Sequence, residues 1–374
     1  MLAPSLPALF RAVCAARYRR STTARIATRV APVVLSLLIA APGFATPEAS
    51  GQSEYPLTID NCGRELTFEA PPQRAVTLGQ NSTEILLSLG LAERMAGSAV
   101  WVSPVAEPLA AANASVPRLS DGVPGFEAVV GQRPDLVAAQ FQADLGPKGR
   151  VASREQFEDL GIATYISPTD CAARVMGDNT NRDGARTRLF TTELVHREIR
   201  ELAAIFGVPA RGEALIQRLR EREAAAVARA RAALDGDLSM LWWFSSAELS
   251  GDAWVAGRNG APGYVMASLG VENVVKSDHE WPGVSWEWIA AANPDVLVLG
   301  EMSRRHFPAD RIEQKIAFLE SDPLTRQMAA VRNARFIRLD AQAMNPGLRT
   351  IEALEGVARA LERLRAQGRL ETSG

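Results

Sequence analysis

The side chains able to do chemistry are few and scattered. Histidine occurs three times in 374 residues, at His196, His279 and His306. His196 stands among Arg197, Glu198 and Arg200 in a helical stretch, where a solvated face is expected. His279 and His306 fall in loops, where an imidazole ordinarily does no more than titrate. No Gly-x-Ser-x-Gly elbow, His-Glu-x-x-His pair, P-loop or dinucleotide fingerprint is present. Past residue 45 the phenols are Tyr55, Tyr165 and Tyr264, a poor supply of the clustered oxygens that a bare ferric ion demands. No nucleophile–base pair and no metal or cofactor set emerges. The expectation is a binding protein, not an enzyme.

What remains is recognition chemistry. Seven tryptophans offer large rigid surfaces suited to a bulky planar or ring-rich ligand. Trp101 closes a strand-like run, and Trp254 and Trp281 lie in loop-like stretches with Gly251, Gly257 and Gly283. Trp242-Trp243 lies within a strand, which would send one ring into the core and the other to the opposite face. Trp101, Trp242, Trp243 and Trp254 are the aromatic ligand candidates, with ordinary packing as the competing reading. Arg258, Arg304, Arg305 and Arg349 are the cationic ones, because guanidinium forks pair with carboxylate, catecholate or phosphate oxygens. Most arginines in this Arg-rich chain are nonetheless expected to be surface charges of little energetic weight.

These groups need a frame. Residues 74–78, 95–101, 136–140 and 164–166 read as buried strands. Helices between them run from Asn81 to a stop at Gly90, with Glu84 favouring the positive helix end, and from Ser153 to Gly161. Such alternation predicts a parallel α/β sheet covered on both faces. Residues 170–190 are polar and Gly/Asn-rich, an insertion. Residues 191–235 are helical with a break at Gly207-Val208-Pro209. The second piece, at about 1.5 Å per residue, is long enough to cross between two domains. A second alternation follows, with strands at 238–244, 295–299 and 336–339 and helices at 263–269, 311–319 and 350–364. The expected organisation is an N-terminal extension (46–72), an N-terminal α/β lobe (73–190), linking helices (191–235), a C-terminal α/β lobe (236–366) and a tail (367–374). An internal echo ties the lobes together: Phe126-Glu127 through Pro134-Asp135-Leu136-Val137 recurs 160 residues later as Trp286-Glu287 through Pro294-Asp295-Val296-Leu297. Each is an aromatic-Glu pair, a short helix, a Pro-Asp turn and an apolar strand.

Residues 1–45 carry six arginines and no acid, then a short apolar run over 33–41 and small residues at Gly43 and Ala45. The run is about half of what a membrane span needs, so a cleaved secretory signal and an exported, periplasmic protein are expected. The overall charge of −2 hides a more acidic body, which argues against nucleic-acid binding. Cys62 and Cys171 are an even pair in an oxidising compartment, either a disulfide or two separate buried thiols.

In order and spacing, several segments resemble the exported substrate-binding proteins of ABC importers for ferric siderophores, haem and cobalamin. They are Pro72-Gln73-Arg74-Ala75-Val76-Thr77-Leu78 with Thr83-Glu84-Ile85-Leu86-Leu87-Ser88-Leu89-Gly90, Arg133-Pro134-Asp135-Leu136-Val137, Ser285-Trp286-Glu287 with Asn293-Pro294-Asp295-Val296, and Val331-Arg332-Asn333-Ala334-Arg335-Phe336. The resemblance covers nearly all of 56–366. It implies two parallel-sheet α/β lobes joined by a single long rigid helix, the class III periplasmic-binding-protein arrangement. It further implies a monomer that holds a small-molecule ligand in the inter-lobe cleft, most naturally a ferric chelate, and meets a dimeric permease. A corrinoid or haem ligand, or a periplasmic sensor without transport, stay open. Ligand groups in open parallel sheets lie just beyond the carboxyl ends of strands, which adds Gln80, Asn81 and Gln140 to the candidates. In the family an exposed glutamate on each lobe meets permease arginines, and Glu127 and Glu287 resemble that pair. The competing reading for both is a first-turn acid favouring the helix dipole.

Overall fold

The computed structural model describes residues 53–172, 174–175, 184–234 and 236–370. The expected export signal, the middle of the expected insertion and the end of the tail lie outside them. The first sheet has five parallel strands in the order Arg118–Ser120, Met95–Ala99, Ala75–Leu78, Leu136–Ala139, Ala163–Ile166. Ala75–Leu78 and Leu136–Ala139 are buried along their whole length, which is why they read as unbroken apolar runs rather than alternating ones. The chain leaves Ala75–Leu78 toward one side and later returns on the other, so a switch point falls beyond Leu78 and Ala139. There Gly79 takes φ 118°, and a Cβ on it would sit 2.3 Å from that of Gln140. Only glycine fits.

The second sheet has a parallel core of Ser239–Ser245, Val296–Glu301 and Phe336–Asp340, with Glu272–Asn273 beside its start. Two short antiparallel strands, Ala253–Val255 and Gly283–Val284, extend it. The sequence reading left both of these as loop, and at two or three residues they are too short to show a period. The echo is structural. Arg133 and Asn293 both take positive φ, 50° and 43°. Asp135 accepts the backbone N–H groups of Gln73 and Arg74 (2.6 and 2.9 Å), and Asp295 accepts that of Ser239 (2.9 Å). In each lobe the Pro-Asp turn therefore pins the start of the neighbouring central strand.

Within the expected N-terminal extension a hairpin forms, Leu57–Asn61 with Arg64–Phe68. It guards the sheet edge: the Asn61 amide exchanges two 2.8 Å hydrogen bonds with the backbone of Ile166, and Cys62 is disulfide-bonded to Cys171.

The link is Thr192–Ile205 followed by Pro209–Ala233, the latter about 37 Å long at 1.5 Å per residue. Its buried face changes from Leu215, Ile216 and Leu219 to Ala226, Ala230 and Ala233, and helix Thr350–Ala366 packs against it. One apolar core runs through both lobes by way of these helices, taking in Ala75, Ile85, Leu202, Leu219, Trp242, Val298 and Leu354. The opposite face of each sheet has a core of its own.

That arrangement corrects two expectations. Trp242 and Trp243 do point to opposite faces, but both faces are covered. Trp242 lies in the shared core, Trp243 packs edge-on against Trp286 at 4.7 Å, and neither has any exposure. His196 does not lie on a solvated face either: it is buried, with Nδ1 3.1 Å from the Glu193 carboxylate.

Candidate functional site

The residues just beyond the strands' carboxyl ends in the two lobes touch. Glu84, in helix Gln80–Ser88, and Arg349, at the start of helix Thr350–Ala366, form a two-pronged ion pair, with Nε to Oε2 at 2.9 Å. Arg349 also donates to Pro104 O at 2.7 Å. Asn81 Oδ1 accepts the N–H of Leu348 at 2.7 Å, and Ser303 Oγ donates to Val102 O at 3.1 Å. Val102, Met302 and Ala341 form a small apolar cluster alongside.

This floor absorbs several of the candidates. Gln80 is fully buried: its Oε1 accepts Val102 N and Ser103 N, and its Nε2 donates to Glu84 and Pro104 O. Asn81 is buried between Leu348, Glu198 and the Oε1 of Gln140. Trp101 is buried, with the Arg118 guanidinium 4.6 Å from its ring centre. Arg349 is committed to Glu84. These side chains hold the lobes together and do not line an open cavity. Three polar atoms here are buried without a hydrogen-bond partner: Gln140 Nε2, Ser103 Oγ and, from the other lobe, Ser246 Oγ.

Beneath the floor lie two charged groups the sequence reading passed over as sites. Glu198 takes hydrogen bonds from Asn81, Ser82 and Ser167, yet its complete burial raises its carboxyl to about 7. Lys315, also fully buried, donates to Trp243 O, Phe244 O and Gly300 O at 2.6–3.1 Å and fixes the ends of two adjacent strands. Burial lowers its pKa to about 7, with Asp310 and Glu301 opposing.

The mouth is different in kind. Trp254 is half-buried and meets Phe307 edge-on at 5.2 Å. Phe307 is itself exposed, on the loop that carries Arg304 and Arg305. Asp310 folds this loop by accepting the N–H groups of His306 (2.7 Å) and Phe307 (3.0 Å). Arg304 reaches solvent, but desolvation lowers its pKa, and the like charge of Arg150 in the other lobe adds to that while Asp310 opposes it. Arg150, half-buried, bonds the buried Asp144 (Nε to Oδ1 2.9 Å). Two candidates thus come together at the mouth, Trp254 and the Arg304–Arg305 loop, joined by Phe307 and Arg150. Arg150 was legible only as one of two cations, with Lys148, in the loop that follows strand Leu136–Ala139. Arg258 is an exposed ion pair with Asp278 (2.6 Å).

Glu127 and Glu287 are exposed in the first turns of helices Phe126–Val130 and Trp286–Ala292. Neither makes an ion pair or side-chain hydrogen bond.

Residues 76–343 match the periplasmic binding protein family. The chain is a member of that family. This binding protein is 23% identical over 349 residues to a "Cobalamin-binding protein" of Halobacterium salinarum, covering 90% of this chain and 84% of that one. Its fold is similar to that of an ABC-type Fe3+-hydroxamate transport protein from Saccharomonospora viridis (TM-score 0.64, 24% identity, 82% of this chain and 99% of that one). It is also similar to that of a periplasmic heme-binding protein from Roseiflexus sp. RS-1 (TM-score 0.59, 24% identity, 78% and 98%). Among the described residues of this binding protein no helix is long and apolar enough to cross a membrane.

Proposed function

We propose that this binding protein captures a ferric chelate of siderophore type, one bearing acidic oxygens, at the mouth between its lobes. It then delivers the chelate as an exported monomer to the permease of an ABC importer. The observation that carries the reading is Arg304 of one lobe lying within electrostatic reach of Arg150 of the other, beside the Trp254–Phe307 contact. Two guanidiniums that repel each other across a seam are best satisfied by an anion between them. The aromatic pair supplies a flat apolar wall. Unpartnered donors at Gln140, Ser103 and Ser246 leave hydrogen-bonding capacity in the floor. Glu127 and Glu287 serve as the docking pair: each helix runs back against its sheet, so each carboxylate sits at the end of its lobe where the strands finish. Charges on such a rim set association rate and register more than affinity.

A corrinoid is the second reading, favoured by the likeness to the halobacterial cobalamin-binding protein over 90% of this chain. The two part on charge. An acidic chelate needs both arginines, whereas a corrinoid with neutral side-chain amides needs chiefly the aromatic wall.

Thermal denaturation with a ferric catecholate, ferric citrate, a ferric hydroxamate, haem and cyanocobalamin tests the reading. A ligand at 100 times its Kd adds about 2.7 kcal/mol of stability. The largest rise is expected with an acidic ferric chelate. A rise with cyanocobalamin alone selects the corrinoid, and no rise with any ligand contradicts capture. Uptake by cells carrying the cognate importer, lost on deleting the gene, separates transport from sensing.

A further inference from the structure

Beside Glu287 lies a hollow of about 500 Å³ walled by Ala290, Ala291, Leu324, Gln327 and Met328. The next residue, Trp288, is 45% exposed although it is the largest side-chain type a surface can show. The echo supplies an internal comparison. Ala128 stands in the N-terminal lobe where Trp288 stands here. Arg133, exposed, stands where this lobe has Asn293, whose side chain is turned to the N–H of Ala329 (2.9 Å). Equivalent helices thus present a carboxylate alone on one lobe. On the other they present a carboxylate with an indole and an adjoining apolar hollow.

We infer that the two permease contacts are unequal, the C-terminal lobe making the tighter one by taking an arginine side chain of the permease into the hollow beside Glu287. This rests on reading Glu127 and Glu287 as the docking pair. The occupant follows from the chemistry of the walls. An unpaired carboxylate stands at the mouth with Ala290, Ala291, Leu324 and Met328 inside. Such a site suits a cation on an apolar stem, and the flat guanidinium stacks on an indole as an ammonium does less well. Arg133 disfavours the same occupant on the N-terminal lobe by like charge. A two-fold symmetric permease offers the same groups to both lobes. The inequality therefore lies in the binding protein, and it fixes which lobe faces which permease subunit.

The test is binding of the full chain to its cognate permease–ATPase complex in nanodiscs. Ala291→Phe fills the hollow, Trp288→Ala removes the indole, and Ala128→Phe enlarges the equivalent site on the other lobe. All three positions are exposed, and melting curves with a ligand titration confirm that fold and ligand affinity are kept. Ala291→Phe and Trp288→Ala are expected to weaken permease binding about tenfold or more, as loss of an aromatic anchor does, and Ala128→Phe by less than about twofold, as at an energetically neutral contact. Parent-like binding by both hollow variants, or equal weakening by Ala128→Phe, overturns the inference. The double reversal Glu127→Arg/Glu287→Arg separates the two layers. If it leaves permease binding intact, the docking reading itself falls. If it abolishes binding while the hollow variants bind normally, only the inequality falls.

Discussion

Glu84 and Arg349, 265 positions apart, form a buried ion pair that joins the two lobes. The carboxylate also accepts from Gln80 and Ala106, and the guanidinium also donates to Pro104 O. Both charges are thus satisfied entirely by protein. Such a pair gains little over an apolar replacement, but losing half of it strands a buried charge.

Arg349→Met should therefore cost about 3–5 kcal/mol of stability, read as a lower midpoint in urea unfolding. The double variant Glu84→Leu/Arg349→Met should recover much of that loss. A double variant as unstable as the sum of the two singles would show that the pair's net attraction, not the stranded charge, sets the cost.

Glu198 gives the stability a pH dependence. Its carboxyl lies near 7 in the folded protein against 4.5 ordinarily. Between those values the folded chain keeps a proton that the unfolded chain has released. Stability is therefore greatest below about pH 4.5 as far as this group is concerned, falls through the window up to 7 by as much as about 3 kcal/mol, and is flat above it. Melting temperatures measured from pH 5 to 8 should show the decline in the parent and a flatter curve in Glu198→Gln. Parallel curves would assign the decline to other groups.

The fold was legible where burial is two-sided or strongly periodic. Ala75–Leu78 reads as an apolar run because both faces of its sheet are covered, and Thr350–Ala366 shows its stripe of Ile351, Leu354, Val357, Ala358 and Leu361. The hairpin Leu57–Asn61/Arg64–Phe68 and the antiparallel strands around Trp254 were missed. They are short and mostly half-exposed, and they are held by partners distant in the chain. The site was less legible for a related reason. Trp242, Trp243 and Trp254 are chemically identical, and only the layering of the sheet decides that two are core and one is at the mouth. Glu84 reads as a helix-end acid until the other lobe brings Arg349 to it. Arg150 becomes a candidate only once Arg304 is known to lie near it.

The Cys62–Cys171 disulfide spans 109 residues. In the chain-entropy view a loop of that size is worth up to about 4–5 kcal/mol. Unreduced protein should show no free thiol by intact mass, and Cys62→Ser/Cys171→Ser should melt well below the parent. Two free thiols would contradict the pairing.

Floor and mouth should separate by mutation. Gln80→Ala removes the acceptor for two buried N–H groups, so it should lower stability by about 1–3 kcal/mol. Trp254→Ala, at a half-buried position, should lower ligand affinity more than stability. The opposite pattern would move the ligand to the floor.

Calorimetric titration of the parent and of Arg150→Glu/Arg304→Glu with the ferric chelate that most raises the melting temperature tests the central claim most directly. Capture between the lobes predicts one ligand per chain and at least about a hundredfold loss of affinity in the double variant, as expected when two charge-assisted contacts become repulsive. Unchanged affinity in a variant that melts like the parent would place the ligand elsewhere and contradict the account.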